Sequence, residues 1–336
     1  MNRPVLDASL LLALAASLPA YANDTVTPNA ADNPAASIAP TPKLPDVVAP
    51  APSVPAPDTQ PTIRGGSQDP VVGPATPTVS TQAILSPKLL FGNLQRESDE
   101  FSLVNDKSRI SFHKPMYVMP ATYSNRYDGS ESEFVFQISF KLHLLSNFYF
   151  AYTQRSFWQI YNEDESRPFR ATDYNPELFY RWKPAFDFCP RCGFDVGIEH
   201  QSNGRDVPQS RSWNRLDFAA YHEWNRTLVY LKTWYRIPEK SKKSPDDPKG
   251  DDNPDIAHYY GYGELRVQQE LFDQHHASLM LRGNPSTGKG AIEFNYSVPF
   301  GDYLYWNVYV FNGYGDSLID YNHSVTRVGI GIMLAR

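Results

Sequence analysis

The chain has 336 residues, a formal net charge of −6 and a mean hydropathy of −0.48. An acidic balance without a long basic run argues against nucleic acid as a partner, and the low hydropathy excludes a bundle of membrane-spanning helices. Aromatic residues make up 14%, led by 21 Tyr with six Trp, a bias that suits a membrane–water boundary or a carbohydrate binder.

Residues 1–22 read MNRPVLDASLLLALAASLPAYA. Arg3, the apolar run after it and the small-x-small triplet Ala20-Tyr21-Ala22 have the form of a secretory signal peptide. The apolar core is shorter than the ~20 residues that a helical span needs. Residues 23–85 are dominated by Pro, Ala, Thr, Val and Asp, as in PNAADNPAASIAPTPKLPDVVAPAPSVPAPD. Such a segment buries too little apolar area to offset its ordering entropy, so a disordered Pro/Ala-rich tether is expected.

Residues 86–336 form the expected folded domain. Ten-residue stretches of alternating polarity recur there, such as FVFQISFKLHLL, YLKTWYRI, YLYWNVYVF and TRVGIGIML. Short turns (LLSNF, EWNRT, VPFGDY) alternate with long polar loops (YNEDESRPFRATDYN, QSNGRDVPQSRSW, IPEKSKKSPDDPKGDDNPD). Strands of about 9–11 residues with short turns at one end and long loops at the other are the pattern of an outer-membrane barrel. The reading is an all-β fold, a 12-stranded antiparallel transmembrane β-barrel. Its strands are expected near 109–118, 133–144, 147–159, 174–183, 193–202, 213–223, 227–236, 257–271, 277–283, 289–299, 303–312 and 324–335. Cys189 and Cys192, in CPRC, then fall in a periplasmic turn, an oxidising place that agrees with a structural disulfide, with plain thiols as the alternative left open.

Alternation also assigns faces. In the strand ending at Ser202, one row holds Phe194, Val196, Ile198, His200 and Ser202. In the next, Asn214 shares its row with Leu216, Phe218 and Ala220. Both rows are apolar until their loop ends, so they should meet lipid, and the hairpin should bring Asn214 beside His200. Serine, histidine and asparagine then have the chemistry of a nucleophile, a general base and an orienting group. A neutral amide suits a low-dielectric wall where a carboxylate is costly. The opposite rows, with Glu199, Arg215, Asp217, Lys232 and Glu264, suggest a plugged interior. The competing reading is a non-enzymatic barrel, a pore or scaffold with a water-filled lumen.

HQSNGR followed by SRSWNR resembles the signature of the outer membrane phospholipase A family, as do YTQ…SFWQ, ESRPFR…YNPELF, DDNPDI and GYGDSLIDYN…TRVGIGIML. The matches run in order over roughly residues 100–335. The resemblance implies a calcium-dependent lipase of the bacterial outer membrane, active as a homodimer on phospholipids and lysophospholipids with A1 and A2 specificity. It carries the catalytic roles onto His200, Ser202 and Asn214 and an oxyanion amide onto Gly204. Calcium ligands fall on the Arg205 carbonyl, the Ser210 hydroxyl, Asp252 and, across the dimer, the Ser166 carbonyl. Gln154 falls at the dimer interface; a lumen-facing Gln is the alternative. DDPKGDDNPD, read by composition alone, is a solvated acidic loop. Val207 stands where the family carries Asp, with Asp206 beside it, which should alter calcium affinity. The final Ala335-Arg336 replaces the usual aromatic terminus, a departure expected to affect assembly.

Overall fold

Twelve antiparallel strands close into a ring in the computed structural model, which describes residues 101–336 except 107, 245–246 and 301–303. The expected signal peptide and tether lie outside the described residues. In chain order the strands are β1 (Ile110–Phe112), β2 (Met116–Ser124), β3 (Glu133–Leu145), β4 (Phe148–Trp158), β5 (Ala171–Trp182), β6 (Cys192–Ser202), β7 (Ser212–Trp224), β8 (Thr227–Ile237), β9 (Gly263–Glu270), β10 (His276–Asn284), β11 (Lys289–Phe300), β12 (Leu304–Tyr314) and β13 (Ser324–Ala335). Each of β2 to β13 pairs with its sequence neighbours, and β13 pairs with β2 to shut the ring. Closure leaves no strand edge, so backbone groups are satisfied where lipid offers no partner.

The expected strands near 109–118 and 257–271 are redrawn. The first is split: β1 and β2 both lie along β3, but Lys114 and Pro115 separate them. Proline has no N–H to give to the ladder, and the barrel strand proper starts after it. In the second, Ile256–Tyr260 form a single helical turn, α1, and β9 begins only at Gly263. Gly261 between them has φ +68°, and a Cβ there would lie 1.8 Å from the Gly283 carbonyl oxygen. Only glycine fits this crossing.

The two faces of the wall differ as alternation requires. The outside is apolar: Val196, Ile198, Leu216, Phe218, Leu231, Val328 and Ile330 are all exposed. The inside is charged yet buried. Lys232 Nζ meets Glu199 at 2.7 Å and Glu177 at 3.0 Å, Arg215 meets Glu199 at 2.6 Å, and Lys114 meets Glu177 at 2.7 Å. Nearer the long loops, Arg327 joins Glu133 at 2.6 Å and Asp316 at 2.8 Å. These networks crowd the lumen around a polar cavity lined by Lys114, Arg155, Glu199, Arg266 and Asp316.

Apolar clusters pack at each end of the barrel. Trp213 and Trp234 pack with Ile256 and Tyr260 of α1 and with Leu318 and Tyr321 at the long-loop end. At the other end Leu103 and Val104 pack on Tyr221 and Tyr230, and the Arg181 guanidinium donates to the Leu103 carbonyl at 3.2 Å. A disulfide joins Cys189, in the connection after β5, to Cys192 at the start of β6, with His222 Nδ1 3.0 Å from Cys189 Sγ; of the two readings left open, bridge or plain thiols, the structure has the bridge.

Candidate active site on the barrel exterior

The hairpin of β6 and β7 places His200 directly opposite Asn214, and Ser202 opposite Ser212. Register alone thus brings histidine and asparagine into one cross-strand pair on the outer face. His200 Nδ1 lies 2.8 Å from Asn214 Oδ1. An amide oxygen only accepts, so Nδ1 carries the hydrogen and Nε2 is left free to take a proton. Ser202 is two residues further along the same row, and all three side chains are half-buried. Among the described residues the Ser202 hydroxyl makes no hydrogen bond to His200. Positions i and i+2 of a strand are about 6.5 Å apart along its axis, so their side chains touch only when both rotamers converge. Contacts of this kind are commonly loose without substrate.

The loop after β6 is built to hold its shape. Asn203 is buried; its Oδ1 accepts from the Arg211 amide at 2.9 Å and the Arg205 amide at 3.3 Å, and its Nδ2 donates to the Gln209 carbonyl at 2.8 Å. Gly204 follows with φ +62°, and a Cβ on it would sit 2.9 Å from the Tyr174 ring. Tyr174 is the β5 residue paired with Ser202, so one ring borders both the serine's strand position and the glycine. The Arg205 guanidinium donates to the Phe169 and Arg170 carbonyls at 2.6 and 2.9 Å, tying this loop to the one before β5.

The long loop between β8 and β9 leans on the same hairpin. Ser210 Oγ donates to Asp252 at 2.6 Å, Asn253 Oδ1 accepts from the Ser212 amide at 3.0 Å, and Arg236 pairs with Asp251 at 2.5 Å. The DDNPD end is therefore a structured buttress, unlike the solvated loop that composition suggests. Tyr321 donates to Asp255 at 2.5 Å. Burial, then that hydrogen bond and charge, hold the tyrosine hydroxyl above its ordinary range, and it stays a donor.

Two of the calcium-ligand candidates, Ser210 and Asp252, are in contact, and the other Asp252 oxygen holds the Lys242 ammonium at 2.6 Å. A hydroxyl and a carboxylate side by side are oxygen donors of the type calcium selects, so these residues fit the ion, which would take the place of the Lys242 ammonium on Asp252. Ser166 lies in a different loop, where its carbonyl accepts from Trp158 Nε1 at 2.7 Å; its second lone pair is available. Gln154 shares the outer row of β4 with Tyr152 and Ser156 and bonds to both, at 3.0 and 3.2 Å. The lumen-facing alternative for Gln154 does not apply.

Sequence reading missed three partners. Asn203 lay hidden inside HQSNGR as an ordinary loop residue. Lys242 and Glu239 lay within IPEKSKKSPDDPKGDDNPD, which has no periodicity to assign a direction. Glu239 Oε1 accepts from Asn214 Nδ2 at 3.1 Å.

A family profile described as phospholipase A1 matches residues 95–334. The chain belongs to the phospholipase A1 family. It is 40% identical over 251 residues to the putative phospholipase A1 of Neisseria meningitidis serogroup B, covering 66% of this chain and 64% of that one. It is 42% identical over 188 residues to phospholipase A1 of Escherichia coli K12, covering 55% of this chain and 61% of that one. The chain thus spans slightly under two thirds of these relatives. Among solved structures, outer membrane phospholipase A from Escherichia coli aligns with TM-score 0.60 at 33% identity, over 68% of this chain and 98% of that one. The Salmonella typhi outer membrane phospholipase dimer with bound calcium aligns with TM-score 0.59 at 33% identity, over 68% and 93%. The closed barrel and its outer-membrane relatives locate this family member in the bacterial outer membrane.

Proposed function

We propose that the chain is a calcium-dependent phospholipase that hydrolyses acyl esters of phospholipids and lysophospholipids, with A1 and A2 specificity. The observation that carries this reading is the 2.8 Å bond from His200 to Asn214 on the outer wall, with Ser202 next in the same row. Apolar Val196, Ile198, Leu216 and Phe218 continue those rows and would lie along the acyl chains of a substrate still in the membrane.

Ser202 Oγ attacks the ester carbonyl while His200 Nε2 takes its proton and returns it to the departing alcohol. Water then cleaves the acyl-serine by the same route in reverse. Asn214 fixes the imidazole, and the Gly204 amide faces the developing oxyanion. Calcium would be held by Ser210, Asp252 and the Arg205 carbonyl, joined by Ser166 of the partner subunit. The bound ion would supply positive charge that favours a polarised ester carbonyl. Because a monomer lacks the ligand from the second copy, dimerisation through the face bearing Gln154 would switch activity on; the calcium-bound dimer of the Salmonella relative supports this.

The test is fatty acid release from phospholipid–detergent micelles by purified protein, with calcium and then with chelator. Wild-type turnover in Ser202→Ala would refute the chemistry. The pore reading predicts conductance in planar bilayers without lipase activity, and the ion pairs that cross the lumen oppose it.

A further inference from the structure

Asparagine can orient a histidine in one of two flips, and only one of them works. The amide must offer its oxygen to the His200 Nδ1–H. With the amide reversed, two donors face each other and the tautomer is lost. Nothing in the β6–β7 ladder selects the flip, because the backbone register is blind to which end of an amide is which.

Glu239 selects it. Its Oε1 accepts from Asn214 Nδ2 at 3.1 Å, while Asn214 Oδ1 faces His200 Nδ1 at 2.8 Å. A carboxylate oxygen offers no hydrogen to an amide oxygen, so the reversed amide would be repelled at one end and mismatched at the other. The carboxylate is also well anchored. Ile237, two residues earlier, pairs with Asn214 in the β7–β8 ladder. Pro238 ends that ladder. The turn behind it is closed by the Asp251 amide on the Lys240 carbonyl at 2.8 Å and by the Arg236–Asp251 pair. Two cations of that region, Arg236 and Lys242, are engaged with Asp251 and Asp252. Glu239 is half-buried.

We infer that Glu239 is a positioning residue that completes a four-member series, Ser202–His200–Asn214–Glu239, by fixing the Asn214 amide so that it accepts from His200. The inference rests on the proposed triad. Its reach goes further: this carboxylate comes from the long loop after β8, so the loop whose Asp252 contacts Ser210 also tunes the imidazole. Second contacts of this kind orient a histidine through its direct partner.

The test is a double-mutant cycle on the full-length detergent-purified protein with saturating calcium, using phospholipid micelles. Glu239→Ala should lower kcat about tenfold with KM and calcium half-saturation unchanged, the scale of one lost hydrogen bond to a charged group. Glu239→Gln, which retains an accepting oxygen, should recover most of that loss. In an Asn214→Ala background, Glu239→Ala should have no further effect. The inference is overturned by an equal loss in that background, by wild-type kcat in Glu239→Ala, or by a shifted calcium half-saturation in place of kcat. Should Glu239→Ala fail to fold, judged by heat-modified mobility in detergent gels, Glu239→Gln with kcat equal to Asn214→Ala also overturns it. Ser202→Ala, run alongside, separates the two failures: if it stays active the triad itself is wrong, whereas if it is dead and Glu239→Ala is wild-type only the positioning role falls.

Discussion

The two faces of the β6–β7 hairpin solve the same problem in opposite ways. Inside, Glu199, Arg215 and Asp217 join Lys232, Lys114 and Glu177 in a web of full charges with contacts from 2.6 to 4.0 Å. Outside, His200, Ser202 and Asn214 carry no fixed charge and form one short contact of 2.8 Å. A buried charge is tolerable when every member has a partner, and removing one leaves the rest uncompensated. A wall facing lipid has no such partners to offer, so the groups on the strands themselves are neutral, and the carboxylate that touches them, Glu239, comes from the loop beyond the end of β8. The lumen web is thus a matter of folding, and the outer set is free for chemistry.

The sharpest way to break this contrast is Ser202→Ala. Micelle assays should show ester hydrolysis falling by at least about a thousandfold, with heat-modified mobility in gels unchanged. A comparably active variant would place the chemistry elsewhere. The second cut goes to the inner face. Lys232→Met leaves Glu177, Glu199 and Asp217 short of a cation and should cost about 3–5 kcal/mol of stability, read from urea unfolding in detergent. Activity per folded molecule should stay near wild type; if stability were unchanged, the web would not hold the fold.

Asp252→Ala tests the loop that borders both faces. Losing one of few charged oxygens should raise the calcium needed for half-maximal binding by about tenfold, measured by calcium titration of intrinsic fluorescence, and chelator should abolish activity in the parent. An unchanged titration would remove Asp252 from the ligand set. The smallest expected effect is Gln154→Ala. Its bonds to Tyr152 and Ser156 lie on the outer row of β4, and a single neutral hydrogen bond contributes about 1 kcal/mol. Dimerisation, followed by analytical ultracentrifugation with calcium, should weaken about fivefold. A dimer constant equal to the parent's would move the interface elsewhere.

Much of this architecture was legible before any coordinate. Period-two alternation located the strands, since a wall between lipid and a closed lumen writes its two faces into every other residue. The same alternation put His200, Ser202 and Asn214 on the lipid side. It erred where local chemistry overrode the period: at Pro115, which interrupts the ladder after β1, and at Ile256–Tyr260, where α1 tucks under the loops. It was silent in the long loops. Nothing in IPEKSKKSPDDPKGDDNPD says that Glu239 turns back to Asn214 or that Lys242 meets Asp252.

Alternation and turn length, read along the chain, were therefore enough to set the barrel, its strand count and the outward rows of β6 and β7 that hold His200, Ser202 and Asn214. Only the folded molecule decided the cross-strand partner of His200, the clamp at Asn203 and the carboxylate behind Asn214. Those depend on register and loop closure, where residues far apart in the chain meet through hydrogen bonds that carry no periodic signature.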